Sequence, residues 1–69
     1  MIESSFARWI AGLGGWASSA GVAANREYVP VVAAWRDAGL VVDGFRDGKT
    51  CTVELTAAGW AWCRERGIG

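Results

Sequence analysis

Histidine is missing from this 69-residue chain, and lysine and proline occur once each, at Lys49 and Pro30. The absence of histidine removes the side chain most often used for proton transfer near neutral pH. It also weakens any case for a metal, because Cys51 and Cys63 alone cannot assemble the four-ligand Cys/His zinc site. No metal and no cofactor is expected, and both cysteines are read as buried, reduced thiols. Net charge is lacking too: seven basic residues balance seven acidic ones. A domain that grips nucleic acid through its phosphates usually carries a basic excess. There is no long hydrophobic run. The least polar stretch, Trp9 to Ala24, is broken by four glycines and two serines, which argues against a membrane span. No basic segment precedes it as a signal peptide would require, so the expected address is cytoplasmic.

Catalytic patterns are equally sparse. The carboxylates Glu3, Glu27, Asp37, Asp43, Asp47, Glu54 and Glu65 are scattered among arginines, with no spacing that pairs an acid with a base. Lys49 lies in a turn without a serine partner, and Gly12, Gly14 and Gly15 lack the Lys-Ser or Lys-Thr of a phosphate loop. The chain is not expected to be an enzyme.

What is abundant is apolar surface: 52% of residues are hydrophobic and five are tryptophan. That suits a compact single domain over residues 1–69, near the size at which one core barely offsets chain entropy and a dimer becomes attractive. Ile2, Phe6, Trp9, Ile10 and Leu13 share one helical face, which Gly14-Gly15 ends. Trp16 to Ala20 reads as a helix of one or two turns, closed by a turn at Gly21. Tyr28, Val31, Val32 and Trp35 follow at helical spacing; Pro30 requires that helix to begin near Glu27, and it ends at Ala38-Gly39.

Leu40-Val41-Val42 and Thr50 to Leu55 flank Asp47-Gly48, the dipeptide of a tight hairpin turn. A two-residue turn would pair Arg46 with Lys49, Gly44 with Cys51, Val42 with Val53 and Leu40 with Leu55. The inner face would then be Leu40, Val42, Gly44, Cys51, Val53 and Leu55, and the outer face Val41, Asp43, Phe45, Thr50, Thr52 and Glu54. Thr56 offers an N-cap to a last helix along Gly59, Trp62, Cys63 and Arg66, closed by Gly67. The expected fold class is α+β: three N-terminal helices, a two-stranded β-hairpin and a C-terminal helix.

Trp35-Arg36-Asp37-Ala38-Gly39-Leu40-Val41, then Asp47-Gly48-Lys49, then Leu55-Thr56-Ala57-Ala58-Gly59 is an order that resembles bacterial winged helix-turn-helix regulators. The resemblance is to the multiple-antibiotic-resistance and phenolic-acid repressor type, over about residues 28–66. Toward the N-terminus the chain departs from it: at the spacing where a standard helix-turn-helix places an apolar residue after the turn glycine, Gly21 is followed by Glu27, with Tyr28 one later. The dimerisation helices of that family are absent, which suggests a minimal domain of the kind carried by phages and plasmids.

The resemblance implies a DNA-binding transcriptional regulator, with the third helix in the major groove. Asn25, Arg26 and Arg36 would face bases there, while Arg46 and Lys49 on the hairpin would reach a phosphate or the minor groove. The stronger reading of the helix residues is structural, with Asn25 as a helix cap and Arg26 paired with Glu27 or solvent, while the two hairpin cations would equally guard the sheet edge. Trp9, Trp35 and Trp62 fall on inward faces. Trp16, Phe45 and Trp60 do not: they would mark a partner or dimer surface, or, for Trp60, equally cover the edge of the small core. The alternative function is therefore a protein-binding module on the same scaffold, such as a phage-encoded inhibitor of a host defence complex resembling the small anti-CRISPR proteins. Double-stranded DNA and a host protein complex stand as the two expected partners.

Overall fold

A computed structural model describes residues 1–68. The elements run α1 (Ile2–Gly12), β1 (Trp16–Ser18), α2 (Ser19–Ala24), a 3-10 turn (Arg26–Tyr28), α3 (Val29–Asp37), β2 (Val41–Arg46), β3 (Thr50–Leu55) and α4 (Ala57–Glu65). The fold is α+β, with a three-stranded antiparallel sheet in the order β1-β3-β2. The expected helices and hairpin are present in order, but the sheet has one strand more than expected. Trp16–Ser18 is not helical: Trp16 pairs with Glu54, Ala17 with Val53 and Ser18 with Thr52. The helix begins only after Ser18, whose hydroxyl accepts a hydrogen bond from the Gly21 amide at 3.0 Å and so caps α2. Gly21, expected in a turn, lies inside that helix. Further on, Asn25 ends α2, and the 3-10 turn carries the chain to Val29 so that Pro30 falls in the first turn of α3.

The end of α3 sets the phase of the hairpin. Gly39 takes a left-handed conformation (φ +76°), and its amide bonds to the Arg36 carbonyl while that of Leu40 reaches back to Trp35 at 2.8 Å. These two bonds form a Schellman cap, which satisfies carbonyls at the helix end and turns Leu40 onto the core. The same pair of bonds ends α1 at Gly14 and α4 at Gly67. With Leu40 held by the cap, the strand starts at Val41, which is 1% exposed.

The hairpin register consequently differs by one residue from the expected pairing. Val41 lies opposite Leu55, Asp43 opposite Val53, Phe45 opposite Cys51 and Arg46 opposite Thr50. Asp47 and Gly48 both have positive φ, and the Lys49 amide donates to the Arg46 carbonyl at 3.2 Å, as in a primed two-residue turn. Lys49 is then an extra residue before the ladder resumes, and this bulge shifts the register. The β3 side chains keep their expected separation, whereas those of β2 exchange faces. Val41, Asp43 and Phe45 now share the helix-facing side with Cys51, Val53 and Leu55, while Val42 turns outward.

Phe6, Ala7, Ile10, Trp35, Val41, Val53 and Cys63 lie in the buried core. Rings extend it in a chain: Trp9 to Tyr28 at 5.2 Å, Tyr28 to Phe6 at 5.4 Å, Phe6 to Trp35 at 5.1 Å and edge-on, and Trp35 to Trp62 at 4.7 Å. The Thr56 hydroxyl caps α4 by accepting from the Gly59 amide at 3.0 Å, and donates to the Gly39 carbonyl at 2.7 Å. A side chain at Gly59 would collide with the Leu40 carbonyl oxygen. The threonine and glycine of Leu55-Thr56-Ala57-Ala58-Gly59 therefore have structural work: they dock α4 against the end of α3.

Candidate functional site

The two faces of the sheet carry Trp16, Phe45 and Arg46, and Arg36 joins one of them from α3. The side away from α3 bears Trp16, Val42, Gly44, Arg46, Thr52 and Glu54. Here the Arg46 guanidinium lies 4.2 Å from the centre of the Trp16 ring, and its Nε is 3.4 Å from Glu54 Oε2. The Thr52 hydroxyl donates to the same carboxylate oxygen at 2.8 Å. Gly44 makes room for this cluster, since a side chain there would strike the Glu54 carboxylate and the Thr52 hydroxyl. Periodicity alone hid the cluster, because it depends on β1, which the sequence reading assigned to a helix. Trp60, also half-buried, lays its indole against the Gly15 backbone. Trp16 and Trp60 thus each cover backbone or polar groups of their own chain.

The other surface lies between α2, α3 and the hairpin. Val22, Val32 and Val53 form the buried floor of a hollow of about 270 Å³, and the more exposed Ala23, Val29 and Ala33 line its sides. Arg36 also lines it, with its guanidinium 2.8 Å from Asp43 on β2. One rung farther along the same side of the hairpin stand Phe45 and Cys51. The hairpin there outruns the helices, so Phe45 is 60% exposed and Cys51 is exposed as well. Cys51 is thus not buried as expected. Cys63 is fully buried, and its loss of solvation raises its thiol pKa above the ordinary 9.0, with nearby Arg66 and Arg64 offsetting part of the rise.

The cations expected to touch DNA do not form a stripe. Asn25 donates through its side-chain amide to the Gly21 carbonyl at 2.8 Å, which ties it to the end of α2. Arg36 is ion-paired with Asp43, and Arg46 extends on the opposite side of the hairpin from Asp43 and Phe45. Arg26 and Lys49 remain exposed and without an ion pair among the described residues, one before α3 and one at the hairpin turn.

No protein-family model matches the chain, and comparison with curated proteins and with solved structures gives no match either. Among the described residues no group of three or more His, Cys, Asp or Glu side chains is placed to hold a metal ion. No helix among them is long and apolar enough to cross a membrane. The exposed positions of α3 are Val29, Pro30, Ala33, Ala34, Arg36 and Asp37. Four of the six offer no side-chain donor or acceptor to a base edge, and the one arginine already has a partner.

Proposed function

We propose that this chain is a winged-helix domain that acts as a protein-docking module, with the face formed by α3 and the hairpin as its contact surface. The order helix, strand, two helices, hairpin, helix supports the winged-helix reading. So do the first strand pairing onto the hairpin and the third helix beside it. One observation carries the choice of partner: where a DNA-reading helix would present donors, α3 presents Val29, Pro30, Ala33 and Ala34. Apolar groups beside an exposed aromatic residue favour a protein surface, because protein interfaces gather their energy in apolar, aromatic-rich centres. The balance of seven basic and seven acidic residues points the same way, since phosphate binding draws on a cationic field.

Arg26 and Lys49 favour a second reading, a small DNA-binding regulator that grips the backbone at two points, one before α3 and one at the hairpin turn. Titration of the protein against duplex DNA of mixed sequence at low and moderate salt separates the two. The docking reading expects no binding at either salt concentration. Binding that falls with added salt, and is lost in the Arg26→Ala/Lys49→Ala variant, would replace it with the regulator.

A further inference from the structure

We infer that the partner of the α3–hairpin face is a second copy of this chain, which inserts its Phe45 into the hollow between α2, α3 and Val53 while receiving the other copy's Phe45 in return. This rests on the docking reading and assigns its occupant.

The face contains both halves of a contact. Phe45 projects from it with 60% of its surface exposed, and it has no ring neighbour among the described residues. Beside it lies an open hollow lined mostly by valine and alanine side chains, with Ser19 and Arg36 completing the lining, that holds no aromatic side chain. Its volume, about 270 Å³, exceeds the roughly 150 Å³ of a cavity that accepts a benzene ring. Phe45 cannot fill the hollow of its own chain as it stands. It sits one rung beyond Asp43 and Val53 and remains exposed. A projection and a recess on one surface are what a two-fold contact requires, because each copy then supplies the feature that the other lacks.

Charge supports the same occupant. Between the projection and the recess lies the Arg36–Asp43 pair at 2.8 Å, exposed at both ends. Around a two-fold axis beside it, the Arg36 of each copy would meet the Asp43 of the other without leaving a charge unpaired. A net charge of zero removes the long-range repulsion that two identical charged chains would feel. The size of the molecule allows such a contact. A standard interface takes about 800 Å² from each partner. That is about a fifth of this chain's 4096 Å² of accessible surface, comparable with one broad face of a molecule of 33 × 23 × 22 Å.

The test uses the whole chain and two variants at exposed positions, Phe45→Ala and Ala33→Glu, with circular dichroism to verify that both fold. Sedimentation equilibrium over a concentration series should show a dimer for the wild type. Each variant alone should weaken it by about tenfold or more, since each removes both projection-in-recess contacts. Mixing the two variants should restore part of the association. The Ala33→Glu chain still carries Phe45, the Phe45→Ala chain still carries an intact recess, and one of the two contacts can form.

A wild type that stays monomeric over the series, or a mixture that associates no better than either variant alone, would overturn the inference. Adding duplex DNA at low salt in the same series keeps that failure apart from failure of the docking reading. A monomer that ignores DNA overturns only the second copy as occupant. A monomer that binds DNA in a salt-sensitive manner overturns both.

Discussion

The aromatic residues of this chain occupy two contrasting environments. Phe6, on α1, is fully buried and touches the rings of Trp9, Tyr28 and Trp35. Phe45, on β2, has the same side chain and is 60% exposed. The difference arises from position along the elements and not from local pattern. Both residues lie on the helix-facing side of their element, but β2 continues past the point where α2 and α3 can cover it. The same side chain thus serves differently at two places: one ring is enclosed in the core, and the other is left open to solvent.

The largest expected effect comes from removing the buried ring. Phe6→Ala should cost about 3–5 kcal/mol in urea unfolding, because it deletes a core ring and leaves a cavity among three others. For a chain of this size that is most of the stability available, so a mostly unfolded variant is the expected result. A loss below about 1 kcal/mol would mean that the ring cluster is not the centre of the core. Gly59→Ala should follow at about 1–3 kcal/mol, since the added methyl group meets the Leu40 carbonyl, which belongs to backbone held by two caps. Thr56→Ala removes the cap of α4 and the bond to Gly39, and should cost about 1 kcal/mol by the same measurement.

Cys63 extends the comparison to pH. Burial holds its folded-state pKa above the ordinary 9.0, so the folded form keeps the proton more tightly than the unfolded form. The linked stabilisation is fully present below the unfolded value and is lost as pH rises through the folded one. The stability difference between wild type and Cys63→Ala should therefore shrink as pH rises above 9. A difference independent of alkaline pH would contradict the burial of the thiol.

The buried part of this comparison was far more legible in the sequence than the exposed part. Helical spacing placed Phe6, Ile10, Val31, Val32 and Trp35 inside, and all five are buried, whereas Ile2 and Leu13, expected on the same face as Phe6, are exposed at the two ends of α1. The expectation for Thr56 also held, because an N-cap depends on a hydroxyl three residues from the amide that it accepts from. The hairpin phase did not follow, because alternation is equally tidy in two registers that differ by one residue. The choice was made outside the strands, by the cap at Gly39 that holds Leu40 and by the bulge at Lys49. That single shift carried Val42 to the outer side and Phe45 to the α3 side. β1 was missed for another reason. Three residues are too few for periodicity, and their partners on β3 lie almost forty positions away. The hollow beside α3 requires all of these elements together, so no window of sequence displays it.

The smallest expected effect on stability is also the one that most sharpens the contrast. Phe45→Ala, measured at a concentration where the chain is monomeric, should change stability by no more than about 0.5 kcal/mol, as expected for a surface position. Phe6→Ala and Phe45→Ala delete the same atoms, so intrinsic side-chain chemistry largely cancels between them and the remaining difference reports what surrounds each ring. Measured again at a concentration that favours the dimer, wild type should gain stability relative to Phe45→Ala, because a partner that binds only the folded chain adds its binding free energy to folding. A cost for Phe45→Ala that is large and independent of concentration would have the opposite meaning. The outer hairpin would then fold back onto its own hollow in solution, and the exposed aromatic residue would belong to the core after all.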